Sequence, residues 1–251
     1  MVVAVVAFYF HPDAYTTKAR QVMGRHVAGE SFLKGYLSHG KESHFSLQVE
    51  DINHLQVFQD LAENCDRQFS PNLITRSSVR DISDSKVAFY PGPNLASWAR
   101  IRSNYGDSAW SICGVTHTIS SDNAMDSIVD LVVAPMQPWD ALICTSMAVK
   151  RSVEILLEKQ IAYMSHRFDA RQCPLPQLPV IPLGVNQSQF QFDHQQRLIG
   201  RNNFLIQDDE IVILYVGRLS FHAKANPFPM YKAVEEAAQR SGKRVVLLEC
   251  G

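Results

Sequence analysis

No stretch of this sequence holds an apolar run of the roughly 18 residues that a membrane-spanning helix needs. Its charge is almost cancelled: 24 Lys and Arg stand against 25 Asp and Glu, a formal net charge of -1. With a sequence pI near 6.7, no global field favours nucleic acid or an anionic membrane, so partners must be argued from local sites. Cysteine is sparse and odd in number. Cys65, Cys113, Cys144, Cys173 and Cys250 show no C-x-x-C spacing, which indicates neither a disulfide framework nor a zinc site. The expectation is reduced thiols in a cytoplasmic protein. No His/Asp/Glu cluster with ligand spacing stands out, so no metal is expected. The opening MVVAVVAFYF lacks the basic n-region and the small-residue cleavage site of a signal peptide. It reads as a first buried strand.

The chain has 251 residues, 46% apolar and 20% charged, and a mean hydropathy of -0.11. That is enough for one large α/β domain or two smaller ones. Residues 2–10 predict the first strand and residues 11–25 a long loop. GRHVAGESFLKGYL predicts a glycine-bearing turn running into a helix, with Phe32, Leu33, Tyr36 and Leu37 on its apolar face. HFSLQV reads as a strand, LQVFQDLAENC as a helix, and SPNLITRSSVRDISDS as a mostly polar connection. Residues 86–90 form a strand stopped by Pro91-Gly92-Pro93, after which Asn94 is the expected cap of a helix. WSICGVTHTIS and WDALICTS are further strands. Asp122 and Ser146 are the expected caps of the helices that follow them. Strand-like LPVIPLGV contains Pro179 and Pro182, which favours an edge or a segment leaving the sheet. Five strand–helix alternations indicate a doubly wound parallel sheet.

A domain boundary falls near residue 190, before a polar linker with a helix over 195–206. Then comes IVILYVGRLSFHAKANP, residues 211–227. Its β-branched run is what a strand covered on both faces looks like, and Gly217, Arg218 and Lys224 follow at its carboxyl end. Ligands bind outside that end in open α/β sheets. Arg supplies a planar donor fork and Lys a mobile point charge, a pair that suits phosphate; solvated loop cations are the alternative. His117, at the end of another strand, is either a core residue or a ligand contact. Gly24, Gly29 and Glu30 lie where backbone N–H groups of a helix start receive anions, or serve only the turn; Arg25 and His26 stand beside them. Nothing in the sequence assigns work to Asp140 or His222.

MGRHVAGESF, YPGP, CGVTHTISS and VGRLSFHAKANP together resemble the retaining glycosyltransferases of the GT-B fold, the large family four group that includes sucrose and glycogen synthase relatives. PVIPLGVN resembles that family's segment closing the first domain, with Leu183 and Asn186 in place of the usual Asn and Asp. The resemblance implies an acceptor-side Rossmann-like domain, residues 1–190, and the start of a nucleotide-sugar-binding domain, residues 191–251. It implies transfer of a sugar from a nucleotide-sugar donor to a sugar or other hydroxyl acceptor with retention of configuration, without a metal or other cofactor. By carry-over, Gly29, Glu30, Gly217, Arg218 and Lys224 contact the donor. Arg218 and Lys224 stabilise the departing diphosphate, and His117 lies near the transferred sugar. The family's second-domain pair of glutamates, seven residues apart, is missing. The chain is therefore expected to be incomplete and inactive by itself; a non-catalytic GT-B-like binding module and a nucleotide-sugar epimerase-like enzyme are the other readings.

Overall fold

The computed structural model describes residues 6–18, 22–40, 45–63, 65, 71–185, 187–217, 220–221 and 226–251. Two compact units divide the chain, Met1–Val185 and Asn186–Gly251.

Unit 1 contains β1 (Val6–Phe10), β2 (Ser46–Val49), β3 (Asn72–Ile74), β4 (Val87–Tyr90), β5 (Ser111–Val115) and β6 (Ala141–Ile143). All are parallel, in the order β3-β2-β1-β4-β5-β6. The helices are α1 (Pro12–Tyr15), α2 (Gly24–His39), α3 (Asn53–Ala62), α4 (Ile82–Ser85), α5 (Ala96–Ser103), α6 (Asp122–Val129) and α7 (Met147–Phe168). Alternate strand residues feed two cores, as a sheet covered on both faces requires. Phe8, Phe10, Leu47, Val49 and Phe89 join Leu33 and Leu37 of α2 and Phe58 of α3 on one face. Ala7, Ala88, Tyr90, Ile112 and Leu142 join Ala99 of α5, Ile128 of α6 and Val153 and Leu157 of α7 on the other. This is the Rossmann-like α/β sheet that the strand–helix alternation predicts.

One ion pair lies wholly inside. Arg102 and Asp140 are both 0% exposed. Arg102 Nη1 donates to Asp140 Oδ1 and to Trp110 O, while Nη2 donates to Asp140 Oδ2 and to Pro135 O. Asp140 also accepts from the backbone N–H groups of Ile112 and Gln137. The carboxylate therefore ties the end of α5 to the amino-terminal ends of β5 and β6, away from the edge where ligands bind. That is the work of Asp140. The same carboxylate adds to burial in pushing the Cys113 thiol up to about 11, so Cys113 stays protonated and unreactive at neutral pH.

Several expectations shift. The polar connection over 70–85 contains β3, a 3-10 turn Arg76–Asp81 and α4; three residues at a sheet edge are too few for a periodic signal. The expected loop over 11–25 contains α1, and α2 begins at Gly24 itself, so Gly24 is helical. Asn94 does not cap α5, which has no side-chain cap. The cap of α6 is Ser121, whose Oγ accepts from Ala124 N, one residue before Asp122. Ser146 caps α7 as expected, accepting from Val149 N at 3.1 Å. LPVIPLGV and the Gln177 before it meet β6 and the Cys144 after it only through isolated bridges, Ala141 with Gln177 and Cys144 with Val180, because its prolines lack ladder donors.

Unit 2 contains α8 (His194–Asn203), β7 (Ile211–Val216), α9 (Pro227–Ser241) and β8 (Val245–Cys250), with β7 and β8 parallel and in register from Ile211 opposite Val245. Its strands are not covered on both faces. Leu214 is 61% and Val216 70% exposed, and neither α8 nor α9 contains a buried residue. Unit 2 is held instead by polar bonds: Glu210 accepts from Arg244 Nη1 at 2.7 Å and from Gln207 N at 2.8 Å.

Candidate functional site

Three strand ends of unit 1 build a cavity of about 330 Å³, lined by aromatic and polar side chains. Strand β1 contributes Tyr9 and His11, the residue that caps α1 by accepting from Asp13 N at 3.3 Å. Pro12 at the first helical position fixes the turn. Asp13 and Ala14 therefore follow His11 onto the cavity wall. Strand β2 contributes Glu50, whose Oε1 accepts from Tyr9 Oη at 2.8 Å.

Strand β4 ends in Tyr90, and Pro91-Gly92-Pro93 turns the chain across the top of β5. Gly114 permits this: a Cβ there would lie 2.5 Å from Gly92 O and 2.6 Å from the Leu95 side chain. The close approach sets Gly92, Asn94, Ser97 and Trp98 against the cavity. Trp98 stacks on Tyr90 with ring centroids 4.3 Å apart and lies 5.1 Å from Tyr9. The lining thus combines three aromatic rings with His11, Asp13, Arg25, Glu50 and Asn94.

Arg25 reaches this wall from the first turn of α2. His26, 3% exposed, turns into the fold and accepts from Met23 N at 3.2 Å, which closes the helix start and leaves Arg25 outward. Of the pair noted in the sequence, only Arg25 lines the cavity.

His117 lies just past β5, where Thr116 donates to Ile143 O from both its N–H and its Oγ1. The Nδ1 of His117 is buried without a partner among the described residues. Burial, and then the charge of Arg25, hold its pKa below the ordinary value. The imidazole is neutral at neutral pH.

Gly29 and Glu30 sit inside α2, not at its start. A Cβ on Gly29 would lie 1.9 Å from Ala14 O, so the glycine lets α1 lie against α2. Glu30 accepts from Thr17 N at 2.9 Å, from Thr17 Oγ1 at 2.8 Å and from Lys34 Nζ at 2.6 Å. Burial pushes the Glu30 carboxyl up, and the bonds from Lys34 and Thr17 outweigh it, leaving the pKa below the ordinary value. Both residues are engaged in positioning α1 and the chain after it.

In unit 2, Gly217 ends β7 with φ of 157°, a region that favours glycine, and donates to Cys250 O at 2.8 Å. Arg218, Lys224 and His222 lie outside the described residues. Among the described residues there is no group of three or more His, Cys, Asp or Glu that could hold a metal ion, and no helix long and apolar enough to cross a membrane.

Of the residues that sequence reasoning named, Arg25 and the Pro91-Gly92 part of the turn line the cavity and His117 does not; it missed Tyr9, His11, Asp13, Glu50 and Trp98. A signal was there for three of them. His11 and Glu50 are the residues immediately after β1 and β2, and Asp13 lies two further on, where strand-end chemistry is expected.

Sheet order and cavity define the class of unit 1: a doubly wound, Rossmann-like α/β domain whose cavity lies at the strand ends where the order reverses, between β1 and β4. Comparison of the chain with protein-family models, with curated proteins and with solved structures finds no match in any of the three.

Proposed function

We propose that unit 1 is the acceptor-side domain of a retaining glycosyltransferase of GT-B type, and that unit 2 belongs to its nucleotide-sugar-binding domain. The observation that carries this reading is the mixed aromatic and polar lining of the cavity. The rings of Tyr9 and Trp98 suit the C–H face of a saccharide ring, and Glu50, Asp13, Asn94 and His11 suit its hydroxyls. In the reaction, an acceptor hydroxyl forms a bond to the anomeric carbon of the donor sugar, the bond to the nucleoside diphosphate breaks, and the hydroxyl proton leaves with that product. The neutral imidazole of His117 contacts a sugar hydroxyl. Arg218 and Lys224 take the charge that grows on the departing diphosphate. The family resemblance supports the donor half of this reading, and the cavity supports the acceptor half.

The test is product analysis of the full-length enzyme with isotopically labelled nucleotide-sugars and a panel of saccharide acceptors. Labelled acceptor with released nucleoside diphosphate is expected, and Arg218→Ala is expected to abolish turnover while leaving the fold intact. An isomerised donor would replace transfer by epimerisation. Turnover unchanged in Arg218→Ala would remove the diphosphate role.

A further inference from the structure

The same cavity carries a reading of its ligand's chemistry. In sheets of the order β3-β2-β1-β4-β5-β6, an acid after the second strand takes a sugar diol, and the start of the helix between the first two strands faces phosphate. Glu50 is the residue after β2, Arg25 lies in the first turn of α2, and both line the cavity. Tyr9 Oη orients the Glu50 carboxylate, and a carboxylate accepts at about four lone-pair sites, which suits two adjacent hydroxyls.

Arg25 makes no ion pair or hydrogen bond among the described residues, whereas Arg100, Arg102, Arg240 and Arg244 each pair with a carboxylate. The chain between β1 and α2 carries no Gly-x-Gly-x-x-Gly to wrap backbone around a pyrophosphate, and Gly29 is occupied by its contact with Ala14. Phosphate must therefore meet a side chain, and one guanidinium fork matches one phosphate group.

We infer that the cavity binds a phosphorylated polyol, with its vicinal diol on Glu50, its phosphate on Arg25 and the apolar face of its ring on Tyr9 and Trp98. A nucleoside monophosphate and a sugar phosphate share this chemistry. The inference rests on the cavity being the ligand site and not on glycosyl transfer.

Calorimetric titration of the whole chain with AMP, adenosine, glucose 6-phosphate, glucose and inorganic phosphate tests it. At least one phosphorylated compound is expected to bind about tenfold or more tighter than its dephosphorylated partner and than inorganic phosphate. A lead for AMP supports the inference with a nucleotide as ligand, and a lead for glucose 6-phosphate supports it with a sugar phosphate. Arg25→Gln is expected to collapse the ratio toward one, and Glu50→Gln to weaken both members of the pair by about tenfold. Both residues are exposed, so the fold survives, which circular dichroism checks. Glucose binding as tightly as its phosphate would overturn the inference and leave the saccharide reading standing. Inorganic phosphate matching the sugar phosphate would overturn the diol contact. A ratio unchanged in Arg25→Gln would overturn the phosphate contact, and no binding of any compound would sink this inference and the acceptor reading of the cavity together.

Discussion

Strand β7 of unit 2, IVILYV, is more apolar than strand β2 of unit 1, SLQV, yet Leu47 in β2 is 0% exposed and Leu214 in β7 is 61% exposed. What differs is their neighbourhood. β2 lies between β1 and β3 with its side chains in a core shared with α2 and α3, whereas β7 pairs with β8 alone. A run such as IVILYV specifies an extended segment able to be buried on both faces; it does not supply the layers that bury it. Unit 1 is therefore a packed scaffold that positions a site, and unit 2 a strand–helix–strand piece held by Glu210, Arg244 and Tyr231–Glu249 bonds.

The sharpest way to break this comparison is to remove one member of the ion pair inside unit 1. Asp140→Ala leaves the Arg102 guanidinium and the Ile112 and Gln137 N–H groups without their acceptor. A loss of about 3–5 kcal/mol is expected, read by urea unfolding followed at the unit 1 tryptophans. The paired substitutions Leu47→Ala and Leu214→Ala come next: about 2–5 kcal/mol for the buried leucine and within about 0.5 kcal/mol for the exposed one. Equal losses would contradict the contrast between the units.

Within α2 the comparison narrows to two glycines. Gly29→Ala forces a methyl against Ala14 O, whereas nothing lies within 4 Å of a Cβ on Gly35. The first is expected to cost about 1–3 kcal/mol, and Gly35→Ala to raise stability by about 0.5–1 kcal/mol through helix propensity; thermal unfolding of the two variants reads both signs. The smallest effect is in pH. In the fold His117 titrates below its ordinary value of 6.5, so on acidification the unfolded chain takes up the proton first. Its contribution to stability is complete above that ordinary value and is lost as pH falls through the folded one. His117→Gln is expected to flatten this slope between neutral and mildly acid pH, and Arg25→Gln to lessen it; a slope unchanged in His117→Gln would contradict the burial of its Nδ1.

Much of the scaffold was legible in the sequence because it is written locally. Ser146 precedes a helical period and caps α7, and the prolines of LPVIPLGV keep it out of the ladder. β3 was not legible: three residues at a sheet edge carry no period. The site was legible only in part, for a physical reason. Arg25 announces itself by type and place, but Trp98 reaches the cavity because Gly114 lets the Pro91-Gly92-Pro93 turn close over β5, a contact between segments distant in sequence. Gly29 shows the converse. Its place in MGRHVAGESF pointed to a helix start and an anion, and the structure uses it for a close approach of two helices.

The central claim is that the cavity at the ends of β1, β2 and β4 is where this protein meets its ligand. Amide and indole NMR shifts of the isotopically labelled chain, recorded while saccharides and their phosphates are added, test it most directly. The account predicts saturable shifts confined to the cavity, with the Trp98 indole and the amides of His11, Glu50 and Asn94 moving together. Saturable shifts confined to unit 2, or none with any of these compounds, would contradict it.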